Sequence, residues 1–180
     1  MARRRVFIDT EWTAAPWAGG AELMWIGLAD DEGRSWYGIS SEVEIDPNAN
    51  PFVAGAFRLI DKDEPRMSRQ QLAHAVLDFC GDVSEFWAWV PTIESFAEYS
   101  RLGDQAPEAF QKHWDVDLQM LKALICPWPA GWPTELNDLN RAAAAAGVQI
   151  PPRAPNHLHP RVHAEWNLQL FRLIKAAKAS

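Results

Sequence analysis

The chain is poor in several things that would have narrowed its class at once. It has only two cysteines, Cys80 and Cys126, in no CxxC arrangement. That argues against a disulfide scaffold and for a reduced, cytoplasmic protein. No window approaches the roughly 20 consecutive apolar residues of a membrane-spanning helix. "MARRRVF" starts basic, but the apolar run that follows is far too short for a signal peptide. Positive charge is also scarce: 17 Lys and Arg face 24 Asp and Glu, a formal net charge of -7. There is therefore no global basic field to hold duplex nucleic acid by phosphate neutralisation, and a polyanionic ligand would need metal ions or a local patch. Internal repeats and low-complexity tracts are absent, apart from the strongly helix-forming "RAAAAAG".

With 180 residues and 48% hydrophobic content, the chain is long enough for one packed domain and short for two. The expectation is a single domain over residues 1–180. Tryptophan is abundant, at ten residues. Packing accounts for most of them, since Trp is a large amphipathic filler. Base stacking in a nucleotide pocket is the functional alternative.

The order of elements points to an α/β layer. "RRVFIDTEW" is apolar on both faces, as a central, doubly buried strand is. "AELMWIGLADDEGRSWYGIS" reads as a hairpin about Asp31-Glu32-Gly33. Residues 43 to 66 show no sustained period and read as a surface connection. "MSRQQLAHAVLDFCGD" has helical spacing between a Ser68 N-cap and Gly81, and "SEFWAWV" then reads as a strand ended by Pro91. "TIESFAEYSRLG" and "APEAFQKHWDVDLQMLKALI" are helical, as is "TELNDLNRAAAAAGV", in which Asp138 suits a cap. The last element, "PRVHAEWNLQLFRLIKAAKA", is a long amphipathic helix with Pro160 at its first position. An initial meander followed by strands alternating with helices predicts a mixed sheet of about five strands flanked by helices.

Two constellations carry chemistry. Asp9 and Glu11, at i and i+2 of the first strand, point to one face while Thr10 points to the other. Such a pair of hard oxygen ligands suits magnesium or manganese. Solubilising acids at a strand end are the plain alternative. "HLHPRVH" places His157 and His159 before the last helix and His163 on its first turns, with His159 and His163 on one face. The spacing has the look of a transition-metal site that could take zinc, although loop histidines commonly cap or hydrogen-bond nearby backbone.

"FIDTEW" resembles the first motif of the DEDD, ribonuclease T-like 3′-to-5′ exonucleases, and in particular the small bacterial polyadenylate-specific exoribonucleases. "MWIGLADDEGRSWYGIS", "SRQQLAHAVLDF", "EFWAWV" and "HAEWNLQLFRLI" are similar, in the same order, to that family's later strands, helix and closing helix. The resemblance implies a ribonuclease H-like fold with a helical insertion near 100–130. It also implies two divalent ions, magnesium or manganese, and stepwise release of nucleoside monophosphates from the 3′ end of single-stranded RNA. The related exoribonucleases are often dimers, so a homodimer is compatible with the resemblance, while the sequence itself is silent on oligomeric state.

Carried over residue by residue, Asp9 and Glu11 are metal ligands, and Thr10 and Trp12 touch the terminal nucleotide. The third acid falls on Glu94, with Asp115 as the alternative. His163 stands where the family has its last Asp, which would shift preference from magnesium toward manganese or zinc. His159, or otherwise His157, would be the general base. Two further readings stay open: a degenerate member that binds RNA or nucleotide without cutting it, and a His-rich zinc site with another activity.

Overall fold

The computed structural model describes residues 4–14, 19–43, 64–100, 102–153 and 159–179. His157 and most of the connecting segment 43–66 lie outside the described residues.

The apolar run at the amino terminus becomes strand β1, Arg4–Trp12, buried from Val6 through Glu11. It is central because both its edges are taken. On one side it pairs antiparallel with β2, Leu23–Asp30, which pairs in turn with β3, Ser35–Ser40. On the other side it runs parallel to β5, Val83–Ala88. A two-residue strand β4, Arg66–Met67, and a three-residue strand β6, Leu136–Asp138, close the edges, giving the order β4-β3-β2-β1-β5-β6. The sheet is mixed and has six strands, where about five were expected from the pattern. The additions are the two short edges. Leu136–Asp138 falls inside a stretch with helical composition, yet Leu136 pairs with Phe86, and the helix begins only at Leu139. Asp138 caps that helix by accepting from the backbone N–H of Asn140 and Arg141.

Helices cover both faces. Alternation along β1 sends Val6 and Ile8 to one side, where they meet Leu72 and Val76 of α1, Arg69–Cys80. Leu118 and Leu121 of α4, Val116–Leu124, belong to the same core. Helix α1 starts as predicted, with a capping box between Ser68 and Gln71, and stops at Gly81, whose φ is 50°. Between β5 and α4 lie α2, Ile93–Ser100, and α3, Ala106–His113. The stretch expected as one helix over 106–125 breaks at Trp114–Asp115, where the Gln119 side chain bonds the Lys112 carbonyl and the Asp115 carboxylate. Trp128 and Trp132 of the proline-rich turn pack on Phe86, as the packing account of these residues expects.

On the other side Phe7 joins Leu139 and Ala143 of α5, Leu139–Ala145, and Ala164, Leu168 and Phe171 of α6, Pro160–Ala179. This is the face toward which Asp9 and Glu11 also point. Among the described residues no helix is long and apolar enough to cross a membrane.

Candidate metal centre

The site is made where β1 runs out of apolar residues. Asp9 and Glu11 share the α6 face and are both buried. The cross-strand partner of Asp9 is Gly27, and this glycine is what lets the third group arrive. A Cβ there would lie 2.1 Å from the carbonyl carbon of Pro160 and 2.3 Å from the backbone nitrogen of Arg161. The first turn of α6 thus rests directly on the β2 backbone. One turn later Asn167, fully buried, donates from Nδ2 to the Ile8 carbonyl at 2.9 Å and ties the helix to β1. Between these two anchors His163 is delivered over Asp9, with Nδ1 3.2 Å from Oδ2. One ligand atom from each of Asp9, Glu11 and His163 lies within 4.8 Å of the others, so this buried group could hold a metal ion.

Burial, then the charges of Asp9 and Asp117, hold the Glu11 carboxyl well above the usual carboxylate range, with Arg153 opposing. Asp117, in the first turn of α4, comes to the strand end from the opposite helical layer. Its Oδ1 accepts from the Thr10 backbone N–H at 2.8 Å and from the Thr10 hydroxyl at 2.6 Å. The Thr10 hydroxyl in turn accepts from Trp12 Nε1 at 2.8 Å. Burial, followed by the Asp9 charge, pushes the Asp117 carboxyl up to about 7, against the pull of the two Thr10 hydrogen bonds. Three acids crowded together out of water repel one another, and either protonation or a bound divalent ion relieves that repulsion.

This gives a pH signature. Below about 7 folded Asp117 holds a proton that the unfolded chain gives up until near the ordinary value of 3.8, so acidification across that window favours the folded state. With divalent ions chelated, Asp117 should drive a rise in the thermal midpoint as pH falls from about 8 to about 5, against the opposing protonation of His159. In Asp117→Asn, which keeps an acceptor for Thr10, this rise should shrink, and differential scanning calorimetry of the pair isolates Asp117 from Glu11. Parallel pH profiles for the two proteins would refute it.

Of the residues singled out by sequence, Asp9, Glu11 and His163 converge. Glu94 does not: it sits exposed in the first turn of α2, and hydrogen bonds from backbone and from Thr92 hold its carboxyl below the usual range. Asp115 precedes α4 and accepts from Gln119 instead of facing the site. On a helix start, residues two apart point in nearly opposite directions, and Asp117 is the one turned to β1. Thr10 turns to the other face of β1, where it bonds Asp117 and accepts from Trp12 Nε1.

His159 stands outside the ligand group. Its Nδ1 accepts from the Arg161 N–H at 3.2 Å, and its ring stacks on Trp25 and meets the edge of Tyr37. Burial, and then Arg161, lower its pKa. Sequence reasoning missed Asp117, although it shares a helical stripe with the buried Leu121 and Leu124, which marks it as inward-facing. It also missed Arg153, whose guanidinium lies 3.6 Å from Asp9 Oδ1 and over the rings of Trp89 and Trp166. A single arginine in a proline-rich loop gives no local signal.

Fold and site together define a class: an α/β protein with a mixed six-stranded sheet and a buried Asp-Glu-His group at the end of its central strand that could take a metal ion. No known family model and no curated protein matches the chain.

Proposed function

We propose that the chain is a metal-dependent 3′-to-5′ exoribonuclease of ribonuclease H-like fold, hydrolysing phosphodiester bonds at the end of single-stranded RNA. The observation that carries this reading is the convergence of Asp9, Glu11 and His163, two of them from the DxE of β1 and the third from the closing helix, in the order of the exonuclease motifs. Asp117 gives the reading a third carboxylate beside the strand end. A divalent ion bound there would supply electrostatic stabilisation of a phosphoryl oxygen and activation of water. Asp9 and Glu11 would hold it from one face of β1, and His163 would complete the set from α6. Thr10 positions Asp117 through two hydrogen bonds and so fixes the acid on the far side of the strand. A donor set of two carboxylates and one imidazole fits manganese better than magnesium, which favours all-oxygen surroundings.

One observation favours a second reading, in which the fold binds RNA or nucleotide without cutting. Arg153 and His163 both lie against Asp9, so the acid that should be most available to an ion already has two partners. The zinc reading of "HLHPRVH" has less support, since of its described histidines only His163 joins the ligand group.

Degradation of 5′-labelled oligo(A) separates the first two. A ladder shortening by single nucleotides, faster with Mn²⁺ than with Mg²⁺ and abolished by chelation, is the expected result. Retention of oligo(A) on a filter with no shortening under either metal would replace the nuclease reading by the binding one.

A further inference from the structure

Arg153 is an odd neighbour for a group of acids that could hold a cation. Its closest approach to Asp9, 3.6 Å from Nη2 to Oδ1, is too long for a good hydrogen bond and is not the bidentate fork that Arg-carboxylate pairs adopt when built for each other. The side chain lies over two aromatic rings instead: its guanidinium carbon is 4.4 Å from the centre of the Trp89 ring and 5.0 Å from that of Trp166. A guanidinium held over aromatic rings by cation–π attraction can still offer N–H groups to an oxyanion. The Nε is buried and has no hydrogen-bond partner among the described residues, while the side chain as a whole keeps 30% of its surface. The arginine thus lies beside the site over two indoles, loosely paired with Asp9, and part-exposed to a ligand.

Resting on the reading of this site as a phosphodiester-cleaving centre, we propose that Arg153 is its phosphate-binding residue. The arginine neutralises Asp9 while no divalent ion is bound, and offers its N–H groups to a phosphate oxygen once an ion takes up the Asp9 charge. The ligand chemistry is a phosphate group, free or on a nucleotide. Trp89 and Trp166 act as positioning residues that keep the guanidinium at one place through both states.

The test measures binding, not turnover. Inorganic phosphate, adenosine 5′-monophosphate and adenosine are titrated into the Mn²⁺-loaded full chain, wild type, Arg153→Lys and Arg153→Met, with calorimetry and tryptophan fluorescence as readouts. Mn²⁺ affinity is measured separately by electron paramagnetic resonance. The expected result is that both phosphates bind wild type and adenosine does not. Arg153→Met should weaken phosphate by about tenfold or more, the usual cost of losing a charge-assisted contact, while Mn²⁺ binds as well or a few-fold tighter. Arg153→Lys should fall between, because it keeps the charge and loses the fork.

Phosphate affinity in Arg153→Met within about twofold of wild type would overturn the proposal, as would the absence of phosphate binding to Mn²⁺-loaded wild type. Equal loss of Mn²⁺ and phosphate in both variants would overturn it too, since that marks a residue that only props the site. A wild type that binds phosphate through Arg153 and cuts no RNA leaves this assignment standing and removes the nuclease reading. A wild type that cuts RNA beside an Arg153→Met that holds phosphate normally does the reverse.

Discussion

Asp9→Asn should lower Mn²⁺-dependent shortening of oligo(A) by about a thousandfold, corresponding to roughly 4 kcal/mol of transition-state stabilisation. The carboxylate is the point on which the site converges: one oxygen faces His163 at 3.2 Å and the other faces Arg153 at 3.6 Å. Asparagine keeps the shape and an acceptor oxygen, so packing around Phe7 and Ile8 should survive, while a neutral amide is a far poorer ligand for a hard cation. A second readout does not depend on activity. A ligand that binds only the folded state raises its stability by mass action, so Mn²⁺ should raise the thermal midpoint of wild type and not that of Asp9→Asn. Without divalent ion the variant should be at least as stable as wild type. It removes one of the charges that press the Glu11 and Asp117 carboxyls upward, as expected where a site is built at the expense of stability. Cleavage by Asp9→Asn within about tenfold of wild type would take Asp9 out of the catalytic centre.

What could be read from the sequence was what neighbouring residues encode. The doubly buried β1, the Ser68 cap and Gly81 stop of α1, the turn at Gly33 and the Pro160 start of α6 each rest on a pattern within a few residues. The shared face of Asp9 and Glu11 follows from strand geometry alone. The parts that were not legible depend on partners far away in the chain. Leu136–Asp138 is a strand because Phe86 and its neighbours offer an open edge, not because three residues have a period. Asp117 was passed over for Asp115 because the choice needs the inward face of α4, which the break at Trp114–Asp115 resets relative to α3. The resemblance put the third acid on Glu94, yet α2 starts at once and carries it into solvent. His159 and His163 were expected on one face of the closing helix, both serving the site, and the structure separates them: His159 ends as a partner of the Arg161 N–H, and His163 reaches Asp9.

Gly27→Ala should be the most damaging small substitution in the fold, costing about 3 kcal/mol or more. The added methyl would lie 2.1 Å from the Pro160 carbonyl carbon, 2.2 Å from its oxygen and 2.3 Å from the Arg161 nitrogen, all backbone atoms that no rotamer change can move. Helix α6 cannot tilt freely to make room. Asn167 holds it to Ile8, and Leu168, Leu170 and Phe171 are packed in the core on that face. The strain must therefore be met by lifting the first turn of α6, the segment that carries His163. Stability and the metal site are tied together at this glycine, and the two should fail together. Urea denaturation should show a lower midpoint at unchanged slope. The Mn²⁺-induced rise in thermal midpoint should shrink as His163 is drawn off Asp9 and one of the three ligands is lost. A loss below about 1 kcal/mol with the Mn²⁺ effect intact would mean that α6 reaches β1 by some other contact than its seat on Gly27.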